Sequence, residues 1–295
     1  MNDFILSCCS TADLKKEHLQ SRDIKYTCFH YFLNGVEKVD DLGETMPLSD
    51  FYNAMANGAD TATSQINADE FEAYFKCFLD EGKDLLHVSL SSGLSGAYNS
   101  AVIAANNLKA QYPERKIYIV DSLAASSGFG LIMDTLADMR DNGSDIESLR
   151  KWIEENKLKM HHWFFSTDLT FYVKGGRVSK TAGFFGTMLN ICPLLNMDNN
   201  GKLVPRYKFK GKKKVKREIV KQMELFARDN TDYNGKCYIS HSACYDDASD
   251  VAATIEKLFP HINGKVLIND IGTTIGSHTG PGTVAVFFWG TERID

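Results

Sequence analysis

The chain has 295 residues, 43% of them apolar and 24% charged, with a net charge of -5, enough apolar material for one large or two ordinary domains. The mild acidity argues against a general nucleic-acid binder, and no apolar run approaches the roughly 20 residues that cross a bilayer. "MNDFILSCCSTADL" lacks the basic start and long apolar core of a secretory signal, and the seven cysteines form no C-x-x-C pair, so the reading is a cytoplasmic protein with reduced thiols.

Strand-like and helical runs alternate from the amino terminus. "DFILSCC" reads as a buried strand whose adjacent Cys8 and Cys9 are packing residues rather than metal ligands. "IKYTCFHYFLNGVEKVD" reads as a strand that turns at Asn34-Gly35 into a second. "PLSDFYNAMANG" is helical, with Pro47 near its start and Gly58 after its end. "NADEFEAYFKCFLDEG" is a clearer helix. Asn67 caps it, Glu70 stands three residues on, and Phe71, Tyr74, Phe75, Phe78 and Leu79 share a face. A strand over 84–89, a helix over 95–110, the strand "KIYIVDS" and helices near 126–141 and 145–159 follow. These spacings predict an α/β architecture whose first part has a mainly parallel sheet covered by helices.

Near His161 the pattern changes. "HHWFFSTD" is a strand, and "LTFYVKGGRVSK" a short helix ending in a Gly-Gly turn. "ICPLLNMDNNGKLVPRYKF" is a hairpin around 198–201, and a basic, partly apolar helix runs over 212–228. The strand "KCYIS", the helix "DASDVAATIEKLF" and the strands "KVLIND" and "TVAVFFWG" complete the chain. Two α/β domains are expected, 1–160 and 161–295, the second a smaller mixed-sheet domain, with a ligand cleft between them.

Four polar loops are expected beyond strand ends, where open α/β sheets bind ligands: "TATSQ" at 61–65, "SSGLSG" at 91–96, "DSLAASSG" at 121–128 and "SHTGPG" at 277–282. Any one of them is explained by turn chemistry, with glycine supplying positive φ and serine capping a helix. Together they carry more hydroxyls than caps require and suit an anion at helix starts. No G-x-x-x-x-G-K-[ST] motif or dinucleotide fingerprint is present. Arginine, which phosphate recognition recruits, is not clustered around these loops, so a carboxylate fits better. A serine esterase is the rival, since Ser95, Asp121 and His278 follow the chain order of a hydrolase triad. The turn Gly93-Leu94-Ser95-Gly96-Ala97 nevertheless departs from the G-x-S-x-G elbow.

Several pieces, in order, resemble the DegV family of bacterial fatty-acid-binding proteins, which includes the FakB carriers of fatty acid kinase. They are "STADL" (10–14), "TSQ" (63–65), "SSGLSGAY" (91–98), "VDS" (120–122), "YVKGGRVSK" (172–180), "PLL" followed by "GKL" (193–203) and "HTGPG" (278–282). The resemblance spans essentially the whole chain. It implies two α/β domains enclosing a long-chain fatty acid such as palmitate, no catalysis by this chain, no cofactor and no metal. Thr63 and Ser95 would hydrogen-bond the carboxylate, with Ser64 close by, and Arg177 and His278 would sit at the mouth. The partner would be the ATP-binding subunit of a fatty acid kinase. Cys9-Ser10 stands where family members commonly show Asp-Ser, which puts the local polarity in doubt, and Ile66 stands where they often show proline.

Composition is compatible with such a ligand. A buried methylene is worth about 0.8 kcal/mol, so about 14 of them gain on the order of 11 kcal/mol. The apolar wall would draw on 18 Phe and 12 Tyr, and "GFFGTML" is expected to form a lid through Phe184 and Phe185. The run "KFKGKKKVKRE", with its cations between Lys208 and Arg217, suits either a solvated helix face or a transient contact with anionic membrane or an acidic partner.

Overall fold

The computed structural model describes residues 4–178 and 191–293. Its first half comprises β1 (Phe4–Cys9), α1 (Lys16–Ser21), β2 (Ile24–Thr27), β3 (His30–Leu33), β4 (Val36–Val39), α2 (Leu48–Ala56), β5 (Thr61–Ser64), α3 (Ala68–Asp80), β6 (Asp84–Ser89), α4 (Ala97–Gln111), β7 (Ile117–Asp121), α5 (Ser126–Asp141) and α6 (Ile146–Asn156). A parallel sheet runs in the order β2-β1-β6-β7, with Leu6 opposite Ile24 on one side and Leu86 on the other. Its inner strands are almost wholly buried, as expected where crossover helices cover both faces. The α3 start is fixed by reciprocal bonds between Asn67 and Glu70, and Phe71, Phe75 and Leu79 turn inward.

Two expectations for this half are corrected. The run from Ile24 to Leu33 is not one strand. Ile24–Thr27 pairs with β1, whereas His30–Leu33 leaves that sheet and forms a separate antiparallel sheet in the order β4-β3-β5. Asn34 and Gly35 both have positive φ (51° and 78°) and close the β3–β4 hairpin. The "TATSQ" segment is also no loop: Thr61–Ser64 is β5, and Thr63 lies opposite Tyr31. Its partner strand precedes it by a whole helix, so no local signal announced the pairing.

The second half contains β8 (Met160–Ser166), α7 (Thr170–Lys174), β9 (Ile191–Met197), β10 (Leu203–Lys210), α8 (Lys212–Phe226), β11 (Cys237–His241), α9 (Tyr245–Leu258), β12 (Leu267–Asp270), α10 (Thr273–Thr279) and β13 (Thr283–Trp289). The sheet order is β10-β9-β8-β13-β11-β12, antiparallel except between β11 and β12. One face packs on α8 and α9 through Trp163, Phe165, Ile219, Val251 and Phe288. Helix α5, buried along most of its length, contacts β8, β11 and β13 of this sheet. The "SHTGPG" expectation is corrected too, because Ser277 and His278 belong to α10. Four of its seven residues are β-branched and a fifth is glycine, types that favour helix poorly. It forms because Thr273, Thr274 and Ser277 are buried where α10 meets α2 and β5.

A charged cluster ties the halves together. Asp134 of α5, with a side chain only 2% exposed, accepts from Arg22 at 2.5 Å, His18 at 3.1 Å, Lys236 at 2.5 Å and Tyr238 at 2.8 Å. Burial alone would raise its pKa. The hydrogen bonds from His18, Lys236 and Tyr238 outweigh that and hold the carboxyl well below its ordinary range.

Candidate ligand-binding site

A cavity of about 670 Å³ lies between β5, the loop after β6, the start of α5, the α5-facing side of the larger sheet and α10. That volume falls within the range of small-molecule sites. Phe29, Leu90, Phe164, Met197, Leu203, Ile271, Ile275 and Phe287 supply an apolar wall. Thr63, Ser64, Gln65, Ser95, Arg177 and His278 also line it. The structure thus brings together, on one cavity, the five described residues singled out from the sequence for the carboxylate and the mouth. Phe184 and Phe185 lie outside the described residues.

The polar residues come from separate elements. Thr63 is held on β5 and its Oγ1 lies 2.7 Å from Nε2 of His278 on α10. Burial, helped by the nearby Arg177 charge, pushes the His278 pKa down to about 4, so the ring is neutral near pH 7. Its Nδ1 has no hydrogen-bond partner. Ser95 Oγ accepts from the Ala97 N–H at 3.2 Å at the start of α4, which leaves the hydroxyl hydrogen available to a ligand. Arg177 donates to the Leu94 carbonyl at 3.3 Å and the Gly175 carbonyl at 2.5 Å. Burial lowers its pKa, yet a guanidinium keeps its charge in such surroundings.

The esterase alternative finds no support in this geometry. Asp121 accepts from the N–H groups of Ser92 at 3.1 Å and Leu123 at 3.0 Å, which makes it a brace for the loop. His278 meets Thr63, and its other ring nitrogen lacks the carboxylate that a triad would place there.

Several lining residues were not singled out from the sequence. Gln65 donates to Ser100 Oγ at 3.1 Å, and the Tyr172 hydroxyl lies 2.9 Å from that of Thr283. Ser126 and Ser240, 2.9 Å apart, sit where α5 meets the larger sheet. Ser126 donates to the buried Asp13 at 2.5 Å, and the Gly272 N–H donates to the other oxygen at 3.0 Å. Burial raises the Asp13 pKa. The sequence signals for this group were Asp13 within "STADL" and Ser126 within the polar segment "DSLAASSG". Cys9, by contrast, is wholly buried 3.7 Å from the His87 ring, and burial pushes its thiol up to about 12. It is a neutral core residue and does not line the cavity, so the site's polarity does not depend on it.

In the basic run, Lys212 pairs with Asp247 at 2.7 Å, and Lys216 pairs with Asp247 at 3.0 Å and Asp250 at 2.6 Å. Lys210, Lys213, Lys214 and Arg217 are exposed, with Lys214 lying 5.6 Å from the centre of the Phe209 ring. Among the described residues no helix is long and apolar enough to cross a membrane. Nor is there, among them, a group of three or more His, Cys, Asp or Glu side chains placed to hold a metal ion.

A three-sheet α/β fold around an apolar cavity with hydroxyls, an imidazole and a guanidinium on its lining defines a class of proteins that enclose small molecules. The chain belongs to the DegV family: the family model, described as "Uncharacterised protein, DegV family", matches residues 9–291. A DegV domain-containing protein of Clostridium perfringens is 36% identical over 293 residues, covering 99% of each chain. A protein of Thermotoga maritima named as a fatty acid-binding protein is 29% identical over 282 residues, covering 93% of each. The solved structure of a Thermus thermophilus DegV family protein, described by its fatty acid binding, superposes with a TM-score of 0.85. Its identity is 25%, over 98% of this chain and 99% of that one.

Proposed function

We propose that this protein is a cytoplasmic carrier that buries the tail of one long-chain fatty acid in the 670 Å³ cavity and holds its carboxylate with Thr63 and Ser95. The observation that carries this reading is one cavity lined by both an apolar wall and the hydroxyls of Thr63 and Ser95. A carboxylate only accepts hydrogen bonds. The tautomer with the proton on Nε2 of His278 donates to Thr63 and frees the Thr63 hydroxyl hydrogen for the ligand, as Ser95 does from its own position. Ser64 lies next in the strand, and Arg177 supplies a fixed positive charge at the mouth.

In this reading the chain divides near residue 160 into two domains that enclose the ligand. It has no chemistry of its own and no cofactor, and it offers the carboxylate to the ATP-binding subunit of a fatty acid kinase. The relatives' names and structures support the fatty-acid part. The exposed lysines of 210–214 suit transient contact with anionic membrane or an acidic partner. Native mass spectrometry of the purified protein, followed by solvent extraction, tests the ligand. A C14–C20 acid at one per chain is expected. A protein that carries no lipid and takes up none when offered palmitate would overturn the reading.

A further inference from the structure

Ser91 does not line the cavity, yet it is fully buried beneath the loop that carries Ser95. Its hydroxyl donates to the Gly201 carbonyl at 2.8 Å and accepts from the Gly93 N–H at 3.1 Å. Its carbonyl accepts from the N–H groups of Leu94 at 3.0 Å and Ser95 at 3.2 Å. One residue therefore defines the turn that presents Ser95 and fastens that turn to a segment more than 100 positions away.

That distant segment is the tip of the β9–β10 hairpin. Asp198 stiffens it by accepting from the N–H groups of Asn200 at 2.9 Å and Lys202 at 2.8 Å. The fit is backbone against side chain with no spare room. Gly201 has a φ of 67°, and a methyl group on it would collide with Ser91 Oγ. A methyl group on Gly93 would collide with the Asn200 carbonyl.

We propose that Ser91 is a positioning residue: through the hairpin tip it holds the 91–96 loop in the shape that aims the Ser95 hydroxyl at the ligand's carboxylate. The proposal rests on the fatty-acid reading of the cavity. Removing the Ser91 hydroxyl leaves a buried carbonyl and a part-buried N–H without their partner, and the loop relaxes away from the geometry that Ser95 needs. The loss falls on the head group and leaves the apolar wall intact.

The test is a cycle of Ser91→Ala, Ser95→Ala and the double variant, read as affinity for palmitic acid and for methyl palmitate, with melting temperatures measured alongside. S91A is expected to weaken the acid about tenfold and the ester less than about twofold. In the S95A background, S91A should change acid affinity by less than about twofold, because the group it positions is gone. Asp198→Ala, at the partly exposed tip, loosens the same latch without opening the core, and should give a smaller loss that is again confined to the acid. If S91A folds poorly, D198A carries the cycle. Unchanged acid affinity, equal loss for acid and ester, or losses that multiply in the double variant would each overturn the proposal. Wild-type protein that binds neither ligand would overturn the fatty-acid reading itself and the latch with it, whereas wild type that binds palmitate alongside uniform losses would overturn the latch alone.

Discussion

Thr63 shows how much one hydroxyl is asked to do. It faces Nε2 of His278 at 2.7 Å, and a neutral imidazole that donates there makes the threonine a donor for the ligand. Hydrogen bonds to charged groups are worth about 1.5–3 kcal/mol. Thr63→Val, which keeps the shape and the β propensity, should therefore weaken palmitate binding by about 10- to 100-fold. Methyl palmitate should lose far less, and titration of both ligands checks the difference. At this scale the sequence was informative through the motifs it shares with the DegV family. Thr63, Ser95, Arg177 and His278 were assigned to the ligand by that resemblance, and all line one cavity. Asp121 entered only through the rival triad reading, because a carboxylate that braces a loop and one that orients a histidine look alike in a string of letters. Ser91 was one of several serines in "SSGLSG", and nothing local set it apart as the one that reaches Gly201.

Among the elements, α5 is the clearest case of packing that decides everything. It lies against the larger sheet and also carries Asp134, which gathers Arg22, His18, Lys236 and Tyr238 from both halves of the chain. Asp134→Ala leaves those groups facing one another without their shared acceptor and should cost about 3 kcal/mol, lowering Tm by several degrees in calorimetry. The pH dependence has a definite sign. The Asp134 pKa is held below its unfolded value, so its contribution is complete above about pH 4 and is lost as pH falls further. The variant should accordingly show a shallower loss of stability in acid than the wild type. Helices such as α3 were legible because caps and a 3.6-residue apolar repeat agree. β5 and α10 were not. The first is four residues of threonine, alanine and serine, and the second runs against its own propensities. Each exists because distant elements cover it.

For the whole molecule, the cavity lies between elements that are far apart in sequence: β5, the loop after β6 and the start of α5 from one half, β8, β13 and α10 from the other. A ligand held there contacts both halves and should stabilise them as a unit. Protein stripped of lipid and then reloaded with palmitate at about 100 times its dissociation constant should gain about 2.7 kcal/mol, seen as a Tm several degrees above that of the stripped form. The sequence by itself determined the α/β class, the parallel character of the first sheet, most element positions and the hydroxyl-rich segments, which follow from local periodicity, capping and residue chemistry acting over a few positions. Thr63 and Arg177 were reached through the family resemblance, which spans the whole chain. Only the tertiary structure decided the separate β3–β5 sheet, the helix under His278, the brace role of Asp121 and the junction of Ser91 with Gly201. Each of these depends on a partner tens to hundreds of residues away, and a pairing at that distance leaves no mark on the residues beside it.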